Sequence, residues 1–201
     1  MAVKKRNTKK FSIVNEYKKS WEYIKNSRKF IYIAVGIFFF FVLVGLFIPA
    51  PGFLYSQLMT FIKNLLAETK DMSQLQLISY IISNNVKSTF LGIFLGIFLG
   101  IFPLMSTIAN GYVLGFVSLL SINNGGILQL WRLLPHGIFE MPAMFISLGL
   151  GLKLGVFPFQ KNKIKSFQEY LLNSLRVFFF VVVPLLLIAG IIEGTLMILV
   201  K

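Results

Sequence analysis

FIYIAVGIFFFFVLVGLFIP, residues Phe30–Pro49, decides the fold. It is 20 residues long and carries no charged side chain. At ~1.5 Å of rise per residue, an α-helix of that length crosses a ~30 Å hydrocarbon core. The run is apolar all round, so it reads as anchor and bundle wall rather than as a place for chemistry. The rest of the chain agrees. It has 201 residues, is 56% hydrophobic and only 13% charged, and its mean hydropathy is +0.78. The bilayer is the solvent for most of such a chain.

Upstream of this run the character reverses. Ten of the 20 Lys and Arg fall in residues 1–29, and the net charge is +13. Residues 1–10, MAVKKRNTKK, read as disordered and cytosolic. From Phe11 to Lys29, Ile13, Val14, Tyr17, Trp21 and Ile24 recur at helical spacing between lysines, the pattern of an amphipathic helix lying along the headgroups. Basic residues packed against a span mark the cytoplasmic side and the anionic inner leaflet. They do not form a recognisable nucleic-acid module, so no nucleic-acid partner is expected. The leader is too charged and the run behind it too long for a cleaved signal peptide. The absence of cysteine excludes disulfides, thiol catalysis and iron–sulfur ligation.

Downstream, PAPG breaks the chain. Residues 50–84 carry Leu54, Leu58, Phe61, Ile62, Leu65 and Leu66, then Leu75, Ile78, Ile81 and Ile82, among polar side chains. This reads as two amphipathic helices on the external interface. FLGIFLGIFLGIF, Phe90–Phe102, follows. As a continuous helix it would align Gly92, Gly96 and Gly100, since four residues advance ~400°. Such a stripe lets two backbones approach closely. The partner is a helix of the same chain or, alternatively, a second copy. The next span holds NGYVLG, whose Gly111 and Gly115 extend the same small-residue signature. The expected class is all-α: a polytopic α-helical membrane protein with about five transmembrane helices, at 30–49, 86–102, 103–120, 135–153 and 176–198, plus amphipathic interfacial helices. The organisation is a basic leader, 1–29, and one transmembrane domain, 30–201. SINNGG is read as a turn, and KLGVFPFQKNKIK, with Lys153, Lys161, Lys163 and Lys165, as a cytoplasmic loop. Both basic regions then place the N-terminus inside and the C-terminus outside the cell membrane.

Five polar residues stand out against this background. LPHGIFEMPA contains the single histidine, His136, and four residues later Glu140; AGIIEG contains Glu193. His136 and Glu140 share a helix face. On the expected topology Glu140 lies ~8 Å into its span and Glu193 ~25 Å along the last one from the other side, so both reach the same leaflet. Arg132 stands just outside, within reach of either carboxylate. Asn110 sits at a different depth and needs its own partner. Three uses of the cluster remain open: a hydrogen-bonded latch between two spans, a proton, ion or small-substrate site, and a metal site of His136, Glu140 and Glu193 with an open position for water. The second histidine of a metalloprotease motif is missing, and no P-loop, nucleophile elbow or dinucleotide fingerprint occurs. No cofactor is expected.

Four features together, Asn84–Asn85, the Gly-rich span ending in NGYVLG, LPHGIFEMPA and AGIIEG, resemble the stage II sporulation protein M family of integral membrane proteins. The resemblance runs from about Asn84 to the C-terminus. It implies a protein of about five membrane helices. The family's namesake acts in engulfment of the forespore, anchoring partners that degrade peptidoglycan. The shared polar residues correspond to Asn110, His136, Glu140 and Glu193, and the resemblance brings no catalytic role for them. The basic leader and the FLGI repeat depart from the family pattern. The expectation is a non-enzymatic scaffold with lipid and protein partners.

Overall fold

The computed structural model describes residues 12–126 and 134–199, the side chains of 134–137 and 197–199 excepted. The described residues form seven α-helices: α1 (Ile13–Phe47), α2 (Gly52–Thr69), α3 (Gln74–Phe94), α4 (Ile101–Gly125), α5 (Leu134–Gly155), α6 (Lys163–Val177) and α7 (Val183–Leu199). Four stretches are long and apolar enough to cross a membrane: Ile13–Phe47, Ile101–Gly125, Ile138–Phe159 and Lys163–Leu196. This is a multi-pass helical membrane protein.

Several boundaries differ from those read in the sequence. The interfacial helix and the first span are one 35-residue helix, α1. Neither Gly nor Pro interrupts the chain between Ile13 and Gly36, so no local signal ends the helix. The expected loop after Lys153 is a short 3₁₀ turn, Phe157–Phe159, followed at once by α6, with Asn162 capping its start. α6 runs into α7 through a π-helical turn at Phe178–Val182. SINNGG is the end of α4 and not a turn.

The largest correction concerns the FLGI repeat, which is not one helix. α3 ends at Phe94, a 3₁₀ turn covers Leu95–Ile97, and Leu99 and Gly100 take positive φ of 55° and 73° before α4 begins. Left-handed backbone is natural for Gly100 and strained for Leu99 by about 1–2 kcal/mol. Pro103 sits in the first turn of α4, where its missing N–H costs nothing. At its other end α3 starts ten residues before the expected external segment finishes. Ser73 caps it, its own N–H held by Gln76 Oε1 at 2.9 Å in a capping box.

Glycine sets how the helices meet. On the α1–α4 seam, a Cβ on Gly45 would strike the backbone of Tyr112 and Phe116; one on Gly111 would strike Phe38, and one on Gly115 would strike Val42 and Leu46. Phe38 to Val42 climbs as Gly111 to Gly115 climbs, so α1 and α4 run parallel. On the α3–α5 seam, Gly92 lies on Leu148 and Gly151, Gly96 on Gly151, and Gly100 on Leu152 and Gly155. These helices are also parallel to each other. Gly190 and Gly194 of α7 receive Ile82 and Ile78 of α3, an antiparallel match. Gly149 receives Ile31, and the rings of Phe38 and Phe145 meet edge to face at 5.0 Å, so α5 runs against α1. The bundle therefore has α1, α4 and α7 running one way and α3 and α5 the other. Ile93, Leu150, Val177, Val182 and Leu186 fill its centre. α2 lies outside, with no fully buried residue among those described. It is tied by the ring of Tyr55 on Phe116 and by Tyr80 Oη, which donates to Glu68 Oε2 at 3.2 Å.

Candidate functional site

The seams fix where the polar residues stand. Gly92 on α3 meets α5 at Leu148 and Gly151, and Ile82 on α3 meets Gly190 on α7. α3 and α5 are parallel, so stepping back ten residues from Gly92 to Ile82 leads on α5 to about Glu140. Glu140 thus stands level with Gly190–Gly194, the turn that carries Glu193. The register sets both glutamates at one end of the bundle, at about the same height. Oε2 of each is shut off from solvent. Each glutamate has a polar or electrostatic partner within the protein. A buried carboxyl in this setting is matched by a cation or a donor, or it is neutral.

His136 lies in the first turn of α5, one helical turn before Glu140. Its side chain, and Arg132, lie outside the described residues. Pro142 sits inside α5 without breaking it; it frees the carbonyl of Ile138, four residues back on the same helix as the carboxylate. Asn110 does not join the cluster. It is exposed on α4 and its Nδ2 donates to Ser106 O at 2.7 Å and to Ser106 Oγ at 3.2 Å, within its own helix. Gly92, Gly96 and Gly100 face α5, and Gly111 and Gly115 face α1, all within this chain.

A second polar cluster occupies the opposite end, and the sequence reading passed over it. Lys153, at the last turn of α5, is buried. Its Nζ donates to Ser27 Oγ at 3.0 Å and lies 3.9 Å from the ring centre of Tyr23 and 5.2 Å from that of Tyr170. Ser27 in turn donates to the carbonyl of Tyr23 at 2.7 Å. The ammonium is held by two aromatic faces and a hydroxyl, which joins α5, α1 and α6 at one point. Nearby, Arg176 Nε donates to Glu16 Oε2 at 2.5 Å, and Lys19 pairs with the other oxygen of the same carboxylate. The signal was present as Tyr23 and Ser27 at helical spacing on α1. Lys153 carries no local signal of burial, because its cover comes from Tyr170 on α6, a helix whose basic start resembles a loop.

The cluster at the Glu140 end has the chemistry of a latch, a proton relay or a hard-cation site. Hydrogen bonding and charge pairing across α5 and α7 are what its two carboxyls supply directly. No curated protein and no solved structure matches the chain. The sequence profile described as Stage II sporulation protein M matches residues 30–196, most of the chain and every helix of the bundle. The chain therefore belongs to the stage II sporulation protein M family.

Proposed function

We propose that this protein is a non-enzymatic membrane scaffold with five crossings, formed by α1, α3, α4, α5 and the joined α6–α7. Its role is to hold a protein complex at the cell membrane. The N-terminus and the Lys153 end are cytoplasmic; the Glu140 end and the C-terminus are outside. α3 is the fifth crossing: its 21 residues rise ~31 Å and run the length of the bundle between α5 and α7. The basic leader and the lysines around α6 lie on the anionic leaflet. His136, Glu140 and Glu193 hold α5 and α7 in register.

The observation that carries this reading is the set of glycine seams. Backbone rests on backbone along α1–α4 and α3–α5, and side chain on glycine along α3–α7. Helices locked at that distance have little room to rock past one another, which suits a platform better than an alternating-access carrier. The test is bound metal in detergent-purified protein, wild type beside His136→Ala, by elemental mass spectrometry, together with ion flux in proteoliposomes. A scaffold shows neither stoichiometric metal nor flux. Near-stoichiometric metal that disappears in His136→Ala makes it a metal-dependent hydrolase, and flux abolished by Glu140→Gln makes it a transporter.

The transporter reading has one observation of its own. The π-helical turn at Phe178–Val182 interrupts the regular bonding of a crossing helix midway between the two polar clusters, and such turns are frequent where helices move or bind.

A further inference from the structure

α3 turns one face into the bundle through Leu77, Ile81, Thr89, Gly92 and Ile93. The other face is exposed and polar. Ser79, Ser83 and Lys87 follow one another at four-residue spacing, with Asn84 and Ser88 beside them. Several helical hydroxyls elsewhere bond back to their own helix, as Thr89 does to Asn85 O at 2.6 Å and Thr107 to Pro103 O at 2.7 Å, while Ser147 and Ser174 do not. Among the described residues, none of the five stripe side chains makes such a bond.

Depth makes this costly. Gly92 packs on Leu148, and the adjacent Gly149 receives Ile31, the second residue of the apolar run in α1. Counting back from Gly92, Lys87 is ~8 Å into the membrane, Asn84 ~12 Å and Ser83 ~14 Å. The ammonium of Lys87 can snorkel to the nearer headgroups. Ser83 and Asn84 sit too deep to do so, and lipid tails offer them no partner.

A second copy fits poorly. A two-fold axis along the membrane normal would set Lys87 against Lys87. The seven acidic residues of the chain do not relieve this: Glu16, Glu22 and Glu169 lie at the Lys153 end, Glu68 and Asp71 at the α2–α3 corner, and Glu140 and Glu193 turn a buried oxygen inward. We infer that this stripe is the docking face for a transmembrane helix of a different membrane protein, one that presents hydroxyl or amide side chains and an Asp or Glu at the level of Lys87. The inference rests on α3 being the fifth crossing and names the surface through which the proposed scaffold holds its partner. Polar pairs between helices in lipid are the means.

The chain has no cysteine, so Ser83→Cys gives a unique probe in cells of the native host. Membrane-impermeant maleimide should leave it unlabelled from both sides. Full labelling would mean that α3 faces water, and the five-crossing reading would fall with the docking face. A photo-crosslinking side chain at position 83 should join a different membrane protein, on a peptide from an apolar segment containing Asp or Glu. The adduct should drop about tenfold in Lys87→Leu and persist in Lys87→Arg, as expected for one charge-assisted pair in a low dielectric. The same label at Phe40, exposed on an all-apolar stretch, reports lipid. With maleimide excluded, an adduct with a second copy, with lipid alone, or with a chain indifferent to Lys87→Leu overturns the docking face and leaves the crossing of α3 intact.

Discussion

The two ends of the bundle solve the same problem in opposite ways. At one end a single cation, Lys153, is enclosed by neutral groups, two tyrosine rings and a serine hydroxyl. At the other, two carboxylates on different helices arrive at one height, each with an oxygen sealed from water. The first arrangement is complete in itself, one ammonium met by two rings and a hydroxyl. The second sets two acids side by side in height, each with a partner within the protein. A cation can be met by neutral rings and hydroxyls alone, whereas two acids need donors drawn from elsewhere in the bundle.

The sharpest way to break this comparison is to destroy the frame that sets both heights. Gly115→Leu puts a side chain into the backbone of Val42 and Leu46. We expect loss of the folded peak by fluorescence-detected size exclusion, since the neighbours are backbone and cannot step aside. Gly36→Leu, where nothing lies within 4 Å of the new Cβ, should leave the elution profile unchanged. The next effect is at the tyrosine end. Lys153→Ala removes the cation–π contacts and opens a space, and should lower stability by about 2–3 kcal/mol, read as a fall in Tm in detergent. At the carboxylate end, Glu140→Gln should cost less, about 1 kcal/mol, because the amide keeps a hydrogen-bonding partner; a larger fall would mean that an ionised carboxylate is required there. The smallest effect should come from Arg176→Ala. Its pair with Glu16 is partly exposed, with side-chain accessibilities of 28% and 15%, so the fall in Tm should be the least of the series and should vanish at high salt.

Much of this architecture was legible in the residues. Long apolar runs announce α1, α4, α5 and α7 because hydrophobicity is the requirement for crossing. Where it failed, a tertiary contact had replaced a local signal. α3 is polar over much of its length, and a hydropathy window cannot tell a helix that lies on water from one whose polar stripe awaits another helix. The FLGI repeat looked like an unbroken helix because every residue in it tolerates one; the break comes from the need to reverse direction before α4, which only glycine at position 100 accommodates cheaply. Glu140 and Glu193 could be brought to one level by counting residues, whereas Lys153, Ser27 and Tyr170 could not, since their meeting depends on α6 being helical.

The π-helical turn at Phe178–Val182 has a consequence for how this chain can change over generations. Such a turn holds one residue more than the α-helix would. Winding the same FFFVV residues as regular α-helix, with the length unchanged, would rotate everything beyond them by about 100°. Gly190 and Gly194 would swing away from Ile82 and Ile78, and Glu193 would turn from α5 towards lipid. A one-residue deletion within FFFVV removes the extra residue and keeps that phase, so it should be tolerated far better than a one-residue deletion between Val183 and Gly190, where regular helix has no residue to spare. The turn works as a phase shifter, letting α6 satisfy the tyrosine end and α7 the carboxylate end when no single uninterrupted helix could face both.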